Sequence, residues 1–172
     1  IAMFDFTSMY ASVIVSYNLS KSTNKKDGTF KSSKNLGFFP TLISEIIEKR
    51  KKHKKEYAKN KSGYLRARSN AYKLLANASY GYQAYFGGRY YCREAAAATA
   101  KFARDNIQNT ISQMEKENCQ VIYGDTDSVV VLRNKKTKKE MLTNHKKIND
   151  SLPGIMELDL EDFFQRGIFV SG

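Results

Sequence analysis

One short stretch in the second half of the chain, residues 123–128, constrains the fold most strongly. Its sequence is Tyr-Gly-Asp-Thr-Asp-Ser, and apolar, mostly β-branched residues lie on both sides of it. This pattern predicts a β-hairpin in which Gly124 and Asp125 supply the turn. The tip of the hairpin then carries two carboxylates, and alternation along an extended chain would point Asp125 and Asp127 to the same side.

Two carboxylates at one place need a partner of opposite charge. A hard divalent cation, which prefers oxygen ligands, is the natural partner of such a pair. Asp is also common in solvated turns, so residues 123–128 alone leave a metal site and an ordinary acidic turn both open. A further carboxylate, Asp5, follows the apolar run at residues 1–4 and also needs a partner or a cation.

Positive charge is concentrated in one segment. The chain carries 29 Lys or Arg against 17 Asp or Glu, a formal net charge of +12. Residues 49–73 hold eleven of the basic residues and one acid, Glu56, so the rest of the chain is close to neutral. Such a block indicates a phosphate-bearing ligand, either nucleic acid or nucleotide. A solvated helix face and a localisation signal are alternatives that charge alone does not exclude.

Two neighbouring helices are predicted at about 40–58 and 64–79, joined by a turn, so they form an antiparallel hairpin. On the first helix Arg50 and Lys54 lie one turn apart and share a face. On the second helix a stripe at helical spacing comprises Lys73, Asn77 and Tyr80. Leu74, Leu75 and Ala78 turn elsewhere on this helix, and we expect them to pack. An Arg fork and Lys point charges on one face are suited to a polyphosphate.

The remaining segments are assigned by hydrophobic pattern and composition. Residues 1–6 and the tail at 155–170 have strand patterns, and residues 20–37 have the composition of a loop. Further helices are predicted at 93–117 and 134–150.

The overall composition sets the class of protein. A length of 172 residues fits one domain, or one domain with an insertion, and no apolar run is long enough to span a bilayer. Cys92 and Cys119 lack metal-ligand spacing, which predicts a reduced, intracellular protein. The chain begins and stops inside apolar runs, so we expect it to be a piece of a longer polypeptide.

Three motifs together resemble a known family. Residues 5–14 (Asp-Phe-Thr-Ser-Met-Tyr-Ala-Ser-Val-Ile), 73–81 (Lys-Leu-Leu-Ala-Asn-Ala-Ser-Tyr-Gly) and 123–128 are similar, in this order, to the three polymerase motifs of family B DNA polymerases. Residues 152–161 continue the likeness and look most like archaeal members. Ala11 stands where the family usually has Pro, and Ala78 replaces a common Ser; neither change removes a functional group.

The resemblance implies an α+β fold: an antiparallel-sheet polymerase palm backed by helices, with a two-helix antiparallel fingers insertion. Residues 1–40 would be the first part of the palm, with the metal-binding strand and loop. Residues 41–80 would be the fingers hairpin, and residues 81–172 would be the second part of the palm.

The resemblance also implies a metal centre. Asp5 and Asp127 would hold two Mg²⁺ ions, for which Mn²⁺ can substitute, and the carbonyl of Phe6 would be a further ligand. Asp125 belongs to the catalytic motif but is less directly a ligand. Glu161, or alternatively Asp159, would be an auxiliary acid.

Substrate-binding roles follow from the same motifs. The side chains that match those gripping the triphosphate are Arg50, Lys54, Lys73 and Asn77, and Lys73 would also donate a proton to the departing pyrophosphate. Tyr10 would lie under the deoxyribose and exclude a 2′-hydroxyl by its bulk. Tyr80 would pack beside the nascent base pair, and Gly81 would allow the template to approach. The backbone N–H groups of Ser8, Met9 and Tyr10 would cradle phosphate oxygens.

The implied activity is that of a DNA-directed DNA polymerase core. The implied partners are primer-template DNA, dNTP, the exonuclease and thumb of a longer chain, and a sliding clamp; a membrane is not among them. We expect a nucleoid-associated, cytoplasmic location in an archaeon, and otherwise a nuclear or viral replication site. Alternatives are a catalytically inactive polymerase-like module, another palm enzyme, and a generic basic nucleic-acid binder. The last of these does not account for the three carboxylates.

Overall fold

The protein is described by a computed structural model that covers residues 1–134 and 136–169. The described chain combines helices with one antiparallel sheet, which confirms the predicted mixture of the two. It divides into two compact units. The first unit holds residues 1–7, 103–152 and the chain from 156 onward, and the second holds residues 8–102 and 153–155. The predicted tail strand reached Val170, which lies outside the described residues.

The first unit is built on a four-stranded antiparallel sheet with the strand order β2-β3-β1-β4. The strands are β1 (Ala2–Phe6), β2 (Gln120–Asp125), β3 (Ser128–Leu132) and β4 (Leu158–Phe163). Along β1 buried and half-buried residues alternate, since successive side chains of a strand point to opposite faces. Ala2, Phe4 and Phe6 therefore enter the core, and Asp5 lies on the other face.

Two helices complete this unit: the C-terminal part of α4 (Arg93–Lys116) and the whole of α5 (Lys138–Ser151). Met141 and Ile148 of α5 are buried. Asn149 fixes the start of β4, because its side-chain amide donates to the carbonyl of Leu158 (2.9 Å) and accepts from the N–H of Leu158 (2.8 Å).

The second unit packs three helices around one apolar cluster. They are α1 (Met9–Ser16), α2 (Phe38–Asn60) and α3 (Gly63–Ala84). The buried members of the cluster are Ala11, Ile14, Val15, Phe39, Ile43, Ile47 and Ala76. Only two residues connect α2 to α3, so the pair forms an antiparallel helical hairpin, as predicted. Residues 93–102 of α4 also belong to this unit.

The packing side of α3 differs from the prediction. Leu74 and Leu75 are 70% and 54% exposed, and Ala78 is exposed as well, so the expectation that these residues pack was wrong. The buried positions are Ala76, Ser79 and Gln83, which share a face at helical spacing. The side chain of Gln83 donates a hydrogen bond to the carbonyl of Leu19 (2.9 Å) inside the unit.

The loop at residues 20–37 is organised by one buried amide, Asn18. Its Nδ2 donates to the carbonyls of Lys31, Ser32 and Asn35, and its Oδ1 accepts from the N–H of Gly37 (2.8 Å). Asn18 has a φ of 56°, a conformation that Asn tolerates better than most residues.

Within the described chain, no helix has the length and apolar character needed to cross a membrane. The division into a palm at 1–40 and 81–172 and fingers at 41–80 stays a prediction.

Candidate functional site

The sheet of the first unit brings Asp5 and Asp127 together from distant parts of the sequence. Asp5 pairs with Ser128 across β1 and β3, and the N–H of Phe6 donates to the carbonyl of Asp127 at 2.7 Å. The Cα atoms of Asp5 and Asp127 are therefore at most roughly 9 Å apart, because paired Cα atoms lie about 5.5 Å apart and consecutive ones about 3.8 Å. Asp5, near the end of β1, thus lies close to Asp127, which directly precedes β3.

The hairpin that carries Asp127 turns two residues later in the sequence than predicted. Asp125 pairs with Ser128, so the turn is formed by Thr126 and Asp127 and not by Gly124 and Asp125. Thr126 has a φ of 32°. The strand alternation expected to align Asp125 with Asp127 does not apply, because Asp127 lies in the turn itself.

The side chain of Asp125 is held by local hydrogen bonds. Its Oδ1 accepts from the hydroxyl of Thr126 (3.0 Å), and its Oδ2 accepts from the hydroxyl of Tyr123 (3.4 Å). These bonds fix the carboxylate at the exposed end of β2. Such local bonds are typical of a residue that stabilises the shape of the hairpin, and less typical of one that binds a ligand directly.

The edge strand β4 contributes a further acid. Asp159 lies directly across from Asp5, and its Oδ2 accepts a hydrogen bond from the hydroxyl of Thr7 at 3.0 Å. Glu161 lies where the register shifts between Met3 and Phe4. Of the two acids predicted as auxiliary, Asp159 is the one whose backbone is paired with Asp5.

The donor set in the first unit is compatible with a hard divalent ion. Carboxylate and carbonyl oxygens are the ligands that Mg²⁺ prefers, and Asp5 and Asp127 supply the former while Phe6 offers the latter. Among the described residues, however, no three His, Cys, Asp or Glu side chains form a group that could hold a metal ion. Glu161 is thus not gathered with the two aspartates in this arrangement.

In the second unit, the predicted phosphate cradle lies at the start of α1. Ser8 is the N-cap residue with a φ of 48°, and Met9 and Tyr10 begin the helix. The first N–H groups of a helix have no carbonyl partner inside it, and a helix N-terminus is a common place for an anion to bind. The side chain of Arg50 on α2 donates a hydrogen bond to the hydroxyl of Ser8, which connects the cradle to the helical hairpin.

Three of the predicted triphosphate ligands line one cavity of about 280 Å³ between α2 and α3. They are Arg50 and Lys54 on α2 and Lys73 on α3. Asn77 lies one turn beyond Lys73 and is exposed. The sequence predicted cations on one face of the hairpin. In the structure, cations from both helices line a cleft between them.

The aromatic residues of the motifs meet in the same unit. The rings of Tyr10 and Tyr80 stack with centroids 4.4 Å apart and an interplanar angle of 10°. A side-chain carbon added at Gly81 would meet nothing within 4 Å, so the surface there is open.

Sequence reasoning missed five residues that the structure adds to these sites. Thr7 escaped notice because its partner, Asp159, is distant in the sequence. The other four line the cationic cavity but lie outside the three motifs: Tyr57, Arg66, Ser69 and Asn70. Helical spacing carried a usable signal, since Arg66, Asn70 and Lys73 are at i, i+4 and i+7.

The two thiols are poor candidates for chemistry. Cys92 and Cys119 are both free and buried. Burial raises the pKa of each thiol above its usual range, which disfavours the reactive thiolate.

Comparison with known proteins identifies the family. The model of DNA polymerase family B matches residues 21–171. The DNA polymerase of Thermococcus gorgonarius is 34% identical over 99% of this chain, which corresponds to 25% of that protein. The DNA polymerase alpha catalytic subunit of Dictyostelium discoideum is 31% identical over 96% of this chain and 12% of its own length.

A solved structure gives the same result. The family B DNA polymerase from the archaeon Pyrobaculum calidifontis matches 93% of this chain and 23% of its own, with a TM-score of 0.71 and 27% sequence identity. The chain spans about a quarter of the length of the archaeal relatives it matches. It belongs to DNA polymerase family B.

Proposed function

We propose that this chain is the central part of a DNA-directed DNA polymerase, which transfers dNMP from dNTP to the 3′-hydroxyl of a primer. The observation that carries the proposal is the pairing of Asp5 with Ser128, which brings Asp5 beside Asp127. Membership of family B supports the same activity. The first unit would be palm, and the α2–α3 hairpin would be fingers.

The proposed metal ligands are the carboxylates of Asp5 and Asp127 and the carbonyl of Phe6. Divalent ions bound there, Mg²⁺ or Mn²⁺, would activate the primer hydroxyl and neutralise the charge of the triphosphate. The hydrogen bond from the N–H of Phe6 to the carbonyl of Asp127 keeps the two strand ends in register. Asp125 would act indirectly, by holding the shape of the turn through its bonds to Thr126 and Tyr123.

The cationic cavity is the proposed site of the triphosphate. The guanidinium of Arg50 and the ammonium groups of Lys54 and Lys73 would neutralise and orient the phosphates, with Asn77 as a neutral donor. Lys73 would also transfer its proton to the departing pyrophosphate, whose negative charge rises as the P–O bond breaks. The N–H groups of Ser8, Met9 and Tyr10 would bind further phosphate oxygens.

The stacked pair of tyrosines is the proposed sugar and base contact. Tyr10 would lie against the deoxyribose, where its ring leaves no room for a 2′-hydroxyl. Tyr80, stacked on Tyr10, would contact the nascent base pair. The open surface at Gly81 would admit the template.

The proposal includes partners and a location. The substrates are primer-template DNA and dNTP. Exonuclease and thumb regions of a longer chain and a sliding clamp are further proposed partners. The proposed location is the nucleoid of an archaeal cytoplasm, or otherwise a nuclear or viral replication site.

The test is Asp127→Asn in the full-length protein, with Asp125→Asn as the matched control in the same hairpin. We expect Asp127→Asn to lower dNTP incorporation at least about a thousandfold, because metal-assisted charge stabilisation supplies several kcal/mol and each 1.36 kcal/mol is tenfold in rate. DNA binding should be little changed. Asp125→Asn should cost less, since its carboxylate makes local bonds.

A second candidate, an inactive polymerase-like module, predicts a different result. In that case the wild-type protein binds primer-template DNA but incorporates no dNTP at any Mg²⁺ or Mn²⁺ concentration. Wild-type rates in Asp127→Asn would instead remove this residue from the catalytic centre.

A further inference from the structure

A separate cavity in the second unit is lined by none of the residues that the proposed function uses. It has a volume of about 430 Å³ and lies between a short hairpin at residues 24–30 and residues 98–102 of α4. The apolar and aromatic part of its lining comprises Tyr17, Leu19, Phe30, Ala98 and Phe102.

The wall that the 24–30 hairpin forms is held by its own backbone. Asn24 and Phe30 form an antiparallel bridge, and the N–H of Lys25 donates to the carbonyl of Thr29 at 2.8 Å. A wall fixed by such bonds is present before any ligand arrives. The cavity is therefore pre-formed, and a pre-formed site lowers the entropic cost of binding.

Two stacked rings form another part of the lining. The rings of Tyr17 and Phe102 are parallel to within 1°, and their centroids are 4.1 Å apart. Ala98 precedes Phe102 by one turn of α4, so both lie on one face of the helix. Leu19 is fully buried beside them in the lining. Such a lining favours an apolar or aromatic group of a ligand, because burial removes that group's surface from water.

The surroundings of this apolar cavity are positively charged. The loop at residues 20–37, which contains the hairpin, carries five Lys and one acid, Asp27, a net charge of +4. Lys101, which lines the cavity, is exposed and adds a further cation. An apolar cavity with cations around it is complementary to a ligand that carries an apolar group between negative charges.

We propose that this cavity is a docking site for an acidic segment of a partner protein that carries one large apolar side chain. The apolar side chain enters the cavity, and the carboxylates beside it face Lys101 and the lysines of the 20–37 loop. Complementary charge of this kind speeds association and disfavours basic competitors. A large side chain seated in a pocket typically carries much of the binding energy of an interface.

Nucleic acid, which is also negatively charged, fits the cavity less well than an acidic peptide. A nucleobase carries polar atoms along its edges. Burial against Leu19, Ala98 and the ring of Phe102 would leave these atoms without hydrogen-bond partners, which is costly. Among the described residues that line the cavity there is also no Arg, the residue whose planar fork matches a phosphate group.

The experiment measures binding of a fluorescein-labelled peptide, Glu-Glu-Asp-Phe-Asp-Glu-Glu, to the full-length protein by fluorescence anisotropy. We expect saturable binding that weakens as salt is added, because the charges involved are exposed. Replacing the Phe of the peptide by Ala should weaken binding about tenfold or more, since the anchor is lost. A peptide with Lys in place of every acid should not bind.

Two neighbouring alanines of α4 provide a matched pair of variants. Ala98 lines the cavity, whereas Ala97 is exposed and does not line it. An indole introduced at residue 98 would occupy the cavity, so Ala98→Trp should weaken peptide binding at least about tenfold. Ala97→Trp, which adds the same group outside the cavity, should weaken it less than about twofold.

A second pair of variants tests the charge. Lys101→Gln should weaken peptide binding about two- to fivefold, the loss typical of one exposed charge pair. Lys55→Gln removes the same charge from an exposed position on α2 outside the cavity and should leave binding unchanged. Thermal unfolding of each variant is compared with wild type. If Ala98→Trp does not fold, the exposed Lys pair still decides the result.

Several results would overturn the docking site. They are a wild-type protein that does not bind the peptide, equal losses in Ala98→Trp and Ala97→Trp, and equal losses in the two Lys variants. Binding of a single-stranded oligonucleotide with the same dependence on Ala98 and Lys101 would assign the cavity to nucleic acid instead. Self-association of the wild-type protein that Ala98→Trp abolishes would assign it to a second copy of the chain.

Discussion

The ring of Tyr10 is held in a defined plane by the ring of Tyr80. The two are nearly parallel, and such stacking contributes about 0.5–1.5 kcal/mol beyond the area that it buries. A ring fixed in this way presents a constant face to any group that approaches it. Discrimination by a rigid surface depends on the ring and not on its hydroxyl.

Tyr10→Ala in the full-length protein should therefore raise the ratio of rNTP to dNTP incorporation. One excluded oxygen in a close-fitting site is typically worth about 1–3 kcal/mol, so we expect an increase of about tenfold or more. Tyr10→Phe keeps the ring and should leave the ratio within about twofold of wild type. Primer extension with matched rNTP and dNTP pairs measures both, and an unchanged ratio in Tyr10→Ala would contradict the steric role.

At the scale of elements, the helices could be predicted better than the turns. The two hairpin helices and α4 begin and end within a few residues of the predicted bounds, since apolar spacing continues through each of them. The sequence does not specify α1 as a helix. Residues 13–15 are three consecutive β-branched residues that are all buried, so the apolar pattern has no helical period. The position of the 126–127 turn was missed because Gly-Asp is the more usual turn pair.

Part of the candidate site could also be predicted from the sequence, and part could not. The three motifs contained the aspartates and Lys73, and helical spacing on α2 supplied Arg50 and Lys54. The contribution of Thr7 depends on tertiary packing that no local pattern encodes, whereas Arg66 shares a helix face with Lys73 and could have been found from helical spacing. For Leu74 and Leu75 the prediction was wrong in the other direction: burial was expected and exposure was found. Two adjacent leucines on a helix do not by themselves define a buried face.

The start of α5 makes a pH prediction possible. Thr137 and Glu140 form a capping box, and the backbone N–H of Thr137, 2.7 Å from Oε2 of Glu140, lowers the pKa of that carboxyl. Because the pKa is lower in the folded state, the carboxylate stabilises the fold above its unfolded pKa of about 4.3. This contribution is lost as the pH falls through the folded value.

We expect the free energy of unfolding of wild type to decrease more steeply below about pH 4.3 than that of Glu140→Gln, which retains a capping side chain without titrating. Denaturant titrations at a series of pH values measure the difference. Glu115→Gln, which removes an exposed acid outside any cap, is the control. Parallel curves for wild type and Glu140→Gln would show that the cap does not carry this dependence.

At the scale of the whole molecule, the charge distribution is the dominant feature. Residues 49–73 carry almost all of the net charge of +12. They comprise the C-terminal half of α2, the connecting turn and the N-terminal half of α3. A protein that neutralises phosphates releases bound counterions, so its affinity for DNA falls with salt.

We expect the triple variant Lys52→Gln, Lys55→Gln, Lys59→Gln to reduce the slope of log affinity for primer-template DNA against log salt. The reduction should be about 0.9 for each phosphate that the variant no longer neutralises. The control removes three exposed lysines of the 20–37 loop, Lys25, Lys26 and Lys34, and should change the slope less. Fluorescence anisotropy over a range of salt concentrations measures both slopes, and identical slopes would assign the effect to net charge alone.

Because Thr126 has a positive φ, selection for stability and selection for catalytic rate would act in opposite directions at this position. A β-branched residue in this conformation is strained, and Gly there would relax the turn. A relaxed turn would also let the backbone of the next residue, Asp127, sample more orientations. Selection for stability would therefore favour Gly at residue 126, and selection for catalytic rate would favour retaining Thr.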